Sequence, residues 1–179
     1  MIEALPFASA AAREDLLAHP VAAALKVWPA AGEITVAEID PDLADTAQFC
    51  EHYGETLETS ANCVIVAAKR AGEVRYAACL VLASTRADIN GRARRHLDAR
   101  KISFAPVETA VELTGMEYGG ITPIGLPESW PILVDSRVTD QPYVIIGSGL
   151  RRSKISIPGA VAAQLPGAEI IEGLAHTPS

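Results

Sequence analysis

Two apolar runs restrict this fold more than any other feature: "ANCVIVAAK" (61–69) and "VRYAACLVLA" (74–83), separated only by "RAGE". Both are largely apolar, and the short break between them carries a glycine. The pattern predicts a β-hairpin spanning Asn62 to Ala83 with both strands largely buried. With the turn centred near Ala71, Cys63 and Cys79 fall roughly opposite each other. They read as core thiols and not as a bridge.

The flanking sequence supplies helices and further strands. The alanine-rich segment Ser9 to Trp28 reads as helix, interrupted at Pro20, with "HP" opening a second short helix. Pro29 to Gly32 reads as a turn, and the alternation in Glu33 to Asp40 as a strand. A helix follows, capped by Asp42, with Leu43, Ala47, Phe49, Cys50 and Tyr53 on its apolar side and Gly54 as its stop. After the hairpin, "RADINGRARRHLDARK" reads as a helix with Asp88 near its start, and Pro106 to Gly115 brackets another. "PILVDSRV" and "YVIIGSG" read as strands joined by a turn at Asp140 to Pro142. "KISIPG" is a short strand, "GAVAAQLP" a short helix, and "AEIIEGLA" a closing strand or strand–helix. The reading is one α/β (α+β) domain over 1–179 on a mixed sheet, its core from about 33 to 175, with the 1–32 helical segment packed on it.

The chain has 179 residues and a net charge of −7, which argues against a positively coated surface for non-specific nucleic-acid binding and against DNA as a partner. A local basic patch remains compatible with it. No window reaches the length of an apolar membrane span, and the start, "MIEALPFASAAARED", has no basic region of a secretory signal. The expectation is a cytoplasmic protein. Cys50, Cys63 and Cys79 have no metal-ligand spacing, and His19, His52, His96 and His176 are scattered, so neither a zinc site nor a cofactor is expected.

Several motifs could carry chemistry. "GSGLRR" (147–152) begins like a dinucleotide fingerprint but has Arg152 at the third glycine position and no helical pattern after it. It is either a strand end needing backbone freedom or a close approach to a ligand, with Arg151, Arg152 and Lys154 supplying charge. "GRARRHLDARK" sets Arg92, Arg94, Arg95, Arg100 and Lys101 against Asp98 alone. Either this is a solvated helix face or it contacts phosphates. No G-x-S-x-G elbow is present, and Glu108 and Glu112 lie at ordinary helical spacing. Asp135 ends the buried run "PILVD" and is either a turn cap or a site carboxylate.

The stretch "TGMEYGGITPIG" (114–125) concentrates four glycines and a proline. Gly115 stops the preceding helix. Gly119 and Gly120, followed by Pro123, make either a tight turn or a row of N–H groups pointing one way. Such donors suit an ester oxygen on which negative charge develops.

From about Thr46 to Leu174 the chain resembles the YbaK and prolyl-tRNA-synthetase-associated editing domains. Their G-x-x-x-P loop is matched here by Gly119-Gly120-Ile121-Thr122-Pro123, with Gly125 following. The hairpin and "ELTG" before it, and "ILVD", "YVIIGSG" and "RR" after it, agree in order. The resemblance implies a YbaK-like fold, a central mixed sheet or partly closed barrel flanked by helices. It also implies an aminoacyl-tRNA deacylase that edits in trans without a cofactor. The partners would be the acceptor end of an aminoacyl-tRNA and an aminoacyl-tRNA synthetase. Gly119, Gly120, Ile121, Thr122 and Pro123 would then form the catalytic loop. Asn62, Asp135, Gly147, Ser148, Gly149, Arg151 and Arg152 would contact substrate.

One departure stands out. Deacylases of this kind carry a lysine at the start of the first hairpin strand, where this chain has Asn62. Asparagine can hydrogen-bond a ribose or carbonyl but cannot neutralise phosphate. Lys69 is an odd number of residues away, so it faces the other side of the strand at its far end. Arg151, Arg152 or Lys154 would have to supply the charge. The alternative is a non-catalytic relative that binds a tRNA end, an amino acid or a protein partner.

Overall fold

The computed structural model describes Ile2 and residues 4–179. The alanine-rich start is not one long helix. β1 (Ala8–Ser9) is followed by two single 3-10 turns, and only α1 (His19–Val27) is regular helix. Leu16, Leu17 and Ala18 are all buried, which no amphipathic helix allows, and Ala18 N–H donates to the Ser148 carbonyl. β2 (Thr35–Glu38) comes next. Asp42 does not cap the helix that follows: Asp45 stands at its N-cap and makes no side-chain capping bond, while Asp40 accepts from Asp42 N–H at the head of a separate 3-10 turn whose first residue is Pro41. α2 (Thr46–Tyr53) then buries Phe49, Cys50 and Tyr53 and ends at Gly54, whose φ is +74°.

β3 (Ala61–Arg70) and β4 (Glu73–Leu82) form the expected hairpin through Ala71 and Gly72, both at positive φ. Cys63 pairs with Leu80 and Cys79 with Val64, so the register is one residue from the sequence estimate. A one-residue offset puts the two thiols on opposite faces, which excludes a bridge between them. After β5 (Arg86–Ala87), the Asp88 carboxylate accepts from Gly91 and Arg92 N–H. It caps a wide helical turn, Ile89–Ala93, that runs into α3 (Arg94–His96). β6 (Lys101–Phe104) was not expected; four residues with mostly exposed side chains give little periodicity.

α4 (Val107–Thr114) ends at Gly115, as read. β7 (Ile132–Asp135) stops earlier than expected, because Asp135 caps α5 (Ser136–Thr139) by accepting from Arg137 N–H. β8 (Val144–Gly147), β9 (Ser153–Ile157), α6 (Gly159–Ala162), β10 (Ala168–Ile171) and β11 (Ala175–His176) complete the chain.

The strands form an antiparallel sheet, β1-β2-β9-β8, a mixed sheet, β10-β7-β4-β3-β6, and the pair β11-β5. Among the described residues no sheet closes on itself. The mixed sheet is buried on both faces. Ile65, Leu80 and Val134 pack with Val21 of α1 and with Ile146 and Ile155 of the second sheet. Val66, Cys79 and Leu133 pack on the other side with Ile89 and Leu174. The two sheets meet where Ile145 N–H donates to the Thr59 carbonyl, just before β3. That seam brings together α2, the start of β3, the end of β8 and the glycine-rich loop.

Candidate functional site

The glycines of the loop are required by backbone packing. A Cβ on Gly147 would lie 2.4 Å from the Gly120 carbonyl oxygen and 2.8 Å from that of Ile121. A Cβ on Gly120 would lie 2.8 Å from the Leu150 carbonyl. Segments 119–121 and 147–150 therefore lie main chain against main chain. Gly149 N–H donates to the Gly120 carbonyl at 2.7 Å, and Glu117 N–H to the Gly149 carbonyl at 2.9 Å. Gly119 has φ +82° and packs under the Arg151 guanidinium.

This packing decides which donors remain. Gly120 N–H is used within the loop, on the Glu117 carbonyl, and Thr122 N–H lies 3.5 Å from the Met116 sulfur. Among the described residues, the N–H groups of Gly119 and Ile121 have no partner, and both residues are partly exposed. Thr122 is 0 % exposed, and its hydroxyl is a buried oxygen with no hydrogen-bond partner among the described residues. Pro123 faces the other way, into an apolar cavity of about 460 Å³ lined by Val27, Trp28, Leu126, Trp130 and Leu165. Asn62, Arg151 and Lys154 do not line that cavity, so it lies apart from the polar groups of the seam.

Two cations stand at the seam, and the partners of both are carbonyls. Arg151 donates to the Tyr118 carbonyl at 3.2 Å and to the Pro41 carbonyl at 3.1 Å, spanning from the loop to the turn before α2. Its own N–H is held by the Glu117 carboxylate. Lys154 is 7 % exposed; its Nζ donates to the Ala44 carbonyl at 2.9 Å and lies 5.4 Å from the centre of the Phe49 ring. Burial pulls its pKa down to about 8, against the upward pull of Asp45. Its stem fits because its cross-strand neighbours are Gly147 and Ala37. No spacing in the sequence singles Lys154 out from Arg151 and Arg152; the pairing across the ladder does.

The other residues named from the sequence are distributed unevenly. Asn62, the second residue of β3, lies at the same seam and accepts a hydrogen bond from the Thr46 hydroxyl at 2.9 Å, two residues from the carbonyl that holds Lys154. Thr46, Ala44 and Phe49 were not anticipated as neighbours of the site. Ser148 is buried and organises its own turn, bonding the Ser153 hydroxyl and the Leu150 N–H. Arg152 points away, to the Asp15 carbonyl. Asp135 is 1 % exposed and both oxygens are occupied, by Arg137 N–H and by Ala175 N–H at 2.7 Å. Its geometry is that of the structural cap. No thiolate is at hand: burial raises the pKa of Cys50 and Cys63, and that of Cys79 to about 12. Among the described residues no cluster could hold a metal ion.

The loop thus offers two open N–H donors beside two side-chain cations that, among the described residues, donate to carbonyls, and such groups suit carbonyl or phosphate oxygens. The chain belongs to the aminoacyl-tRNA editing domain family, whose sequence model matches residues 40–165. A candidate trans-editing enzyme for prolyl tRNA synthetase is similar in structure, with TM-score 0.74 and 22% identity over 87% of this chain and 94% of that one. A scaffold protein used for computational grafting of linear epitopes has TM-score 0.74 and 21% identity, over 87% and 95%. The hypothetical protein APE2540 has TM-score 0.69 and 20% identity, over 79% and 90%. Comparison with curated proteins gives no match. No helix among the described residues is long and apolar enough to cross a membrane.

Proposed function

We propose that this protein hydrolyses the ester of a mischarged aminoacyl-tRNA in trans. The observation that carries the reading is the pair of unpartnered N–H groups at Gly119 and Ile121 on a loop fixed by main-chain packing. The ester carbonyl oxygen would sit against them. Water would attack the carbonyl carbon, the bond to the ribose oxygen would break, and the proton would pass to that oxygen. The products are a free amino acid and an uncharged tRNA. Stabilising the oxyanion with one such donor contributes about 3 kcal/mol to lowering a barrier.

In this reading Lys154 supplies the positive charge that Asn62 cannot. Asn62 and Lys154 reach the entry to α2 from different strands, at Thr46 and Ala44. A tRNA end would draw Lys154 and Arg151 off their carbonyl partners and onto phosphate or ribose oxygens. An aminoacyl-tRNA synthetase would supply the mischarged substrate, and the open solution of the cell interior is where the two would meet.

The test is deacylation of tRNAs carrying alanine, cysteine or serine, with Gly120→Val as control. The expected result is hydrolysis of one or two of these esters, lost in the variant. Asn62 favours one other reading, a binding protein without turnover. It predicts tRNA binding, no hydrolysis of any ester, and activity gained by Asn62→Lys.

A further inference from the structure

A second basic feature lies far from the loop. Arg70, Arg94 and Arg100, with Ala71, line a shallow cleft of about 330 Å³ at the hairpin tip. They come from three elements: the end of β3, α3, and the residue before β6. Arg75, on the adjacent strand, reaches the Leu97 carbonyl at 2.7 Å. Lys69 and Lys101 are directly opposite each other in the β3–β6 ladder. Like charges at such a pair destabilise a sheet.

The compensation is thin. Arg70 has the one carboxylate partner of the cleft, Asp98, at 3.2 Å, and that pair is exposed. Among the described residues Arg94 bonds only a carbonyl, that of Asn90. Among the described residues Arg100 has no ion-pair partner. A chain of net charge −7 thus concentrates cations on one tip where packing does not require them.

We propose that this cleft grips the sugar–phosphate backbone of the tRNA, away from the ester. Three guanidinium forks converging on one space suit phosphate oxygens, which accept paired N–H bonds. Arg70 lies on the same face of β3 as Asn62, eight residues on, and at 3.3 Å per residue the two are about 26 Å apart. That span corresponds to roughly eight phosphates along one strand of a duplex. The cleft therefore contacts the stem and not the terminal nucleotide that carries the amino acid. The proposal rests on the editing reading for its choice of RNA, but it predicts a property that reading does not.

The experiment compares the protein with Arg70→Gln/Arg94→Gln/Arg100→Gln and with a control of equal charge, Arg13→Gln/Lys26→Gln/Arg86→Gln. tRNA affinity is measured by fluorescence anisotropy from 50 to 200 mM KCl, with circular dichroism to verify folding. The cleft variant should bind tRNA about 10- to 100-fold more weakly at low salt. Its log–log salt slope should be shallower by about two to three. The control should change little. For a deacylated ester, KM for full-length tRNA should rise with kcat held, while turnover of a short aminoacylated 3′ fragment stays the same. Unchanged affinity and slope in the folded cleft variant overturn the proposal, whatever the turnover. Salt-dependent tRNA binding without hydrolysis by the unmodified protein overturns the editing reading and leaves this one standing. Absence of tRNA binding by the unmodified protein overturns both.

Discussion

Lys154→Met should make this protein more stable and less active. Lys154 is 7 % exposed, and the pKa of its ammonium falls from the ordinary 10.5 to about 8. At 1.36 kcal/mol per pH unit, keeping it charged at pH 7 costs the folded state about 3 kcal/mol. The sign follows from proton binding. Between pH 8 and 10.5 the unfolded chain holds this proton and the folded chain has released it. Stability therefore climbs through that window and carries the full penalty below it. Methionine fills a similar volume without charge, but leaves the Ala44 carbonyl without its donor, a loss of about 1–2 kcal/mol. The variant should gain about 1–2 kcal/mol at pH 7, or roughly 3–6 °C in Tm for a domain of this size. The gain should vanish by pH 10.5 and become a small deficit. Removing a charged hydrogen-bond donor from the substrate should lower kcat/KM for aminoacyl-tRNA at least about 10-fold. Urea unfolding at pH 6, 7, 9 and 10.5 checks the first statement and deacylation the second. A variant less stable at pH 7, by an amount independent of pH, would refute the reasoning and make Lys154 a structural tie.

Arg151→Ala should raise KM for aminoacyl-tRNA about 10-fold and loosen the loop, read as faster amide exchange at Glu117 to Gly120, since Arg151 joins Tyr118 to Pro41. Tyr118 is 60 % exposed beside Gly119, so Tyr118→Ala should leave stability within about 0.5 kcal/mol while weakening binding of a 3′-terminal fragment, as expected where a base stacks on an aromatic ring. With its pKa at about 12, Cys79 should resist iodoacetamide at pH 8, and the treated protein should keep its activity, checked by mass spectrometry and turnover. Asn62→Lys should restore part of the activity lost in Lys154→Met, because the two positions bond residues only two apart at the entry to α2, Thr46 and Ala44.

The hairpin, the helix stops at Gly54 and Gly115, and the Asp88 cap were legible because each rests on local chemistry: apolar runs, left-handed glycines, a carboxylate before N–H groups. The N-terminal segment was not, because its alanines favour helix while Leu16 to Ala18 are drawn into contacts across the core. The register of Cys63 depended on whether Ala71 alone or Ala71 with Gly72 made the turn, which composition does not decide. At the site, the G-x-x-x-P loop was visible, but not the reason for its glycines. Gly120 and Gly147 are 27 residues apart in sequence, and their contact is made by folding. The same holds for Lys154, which the sequence offers beside Arg151 and Arg152 as a source of charge and which only its small neighbours Gly147 and Ala37 across the ladder set apart. Asp135 kept both meanings in the sequence, and its two backbone donors favour the structural one.

The central claim is that the loop at Gly119 to Pro123 cleaves an aminoacyl ester. Its most direct test is single-turnover hydrolysis of alanyl-, cysteinyl- and seryl-tRNA with protein in excess. The account predicts that at least one ester disappears about 100-fold faster than spontaneously, and that Gly120→Val abolishes this. Spontaneous rates for every ester, from folded protein that binds tRNA, would contradict it.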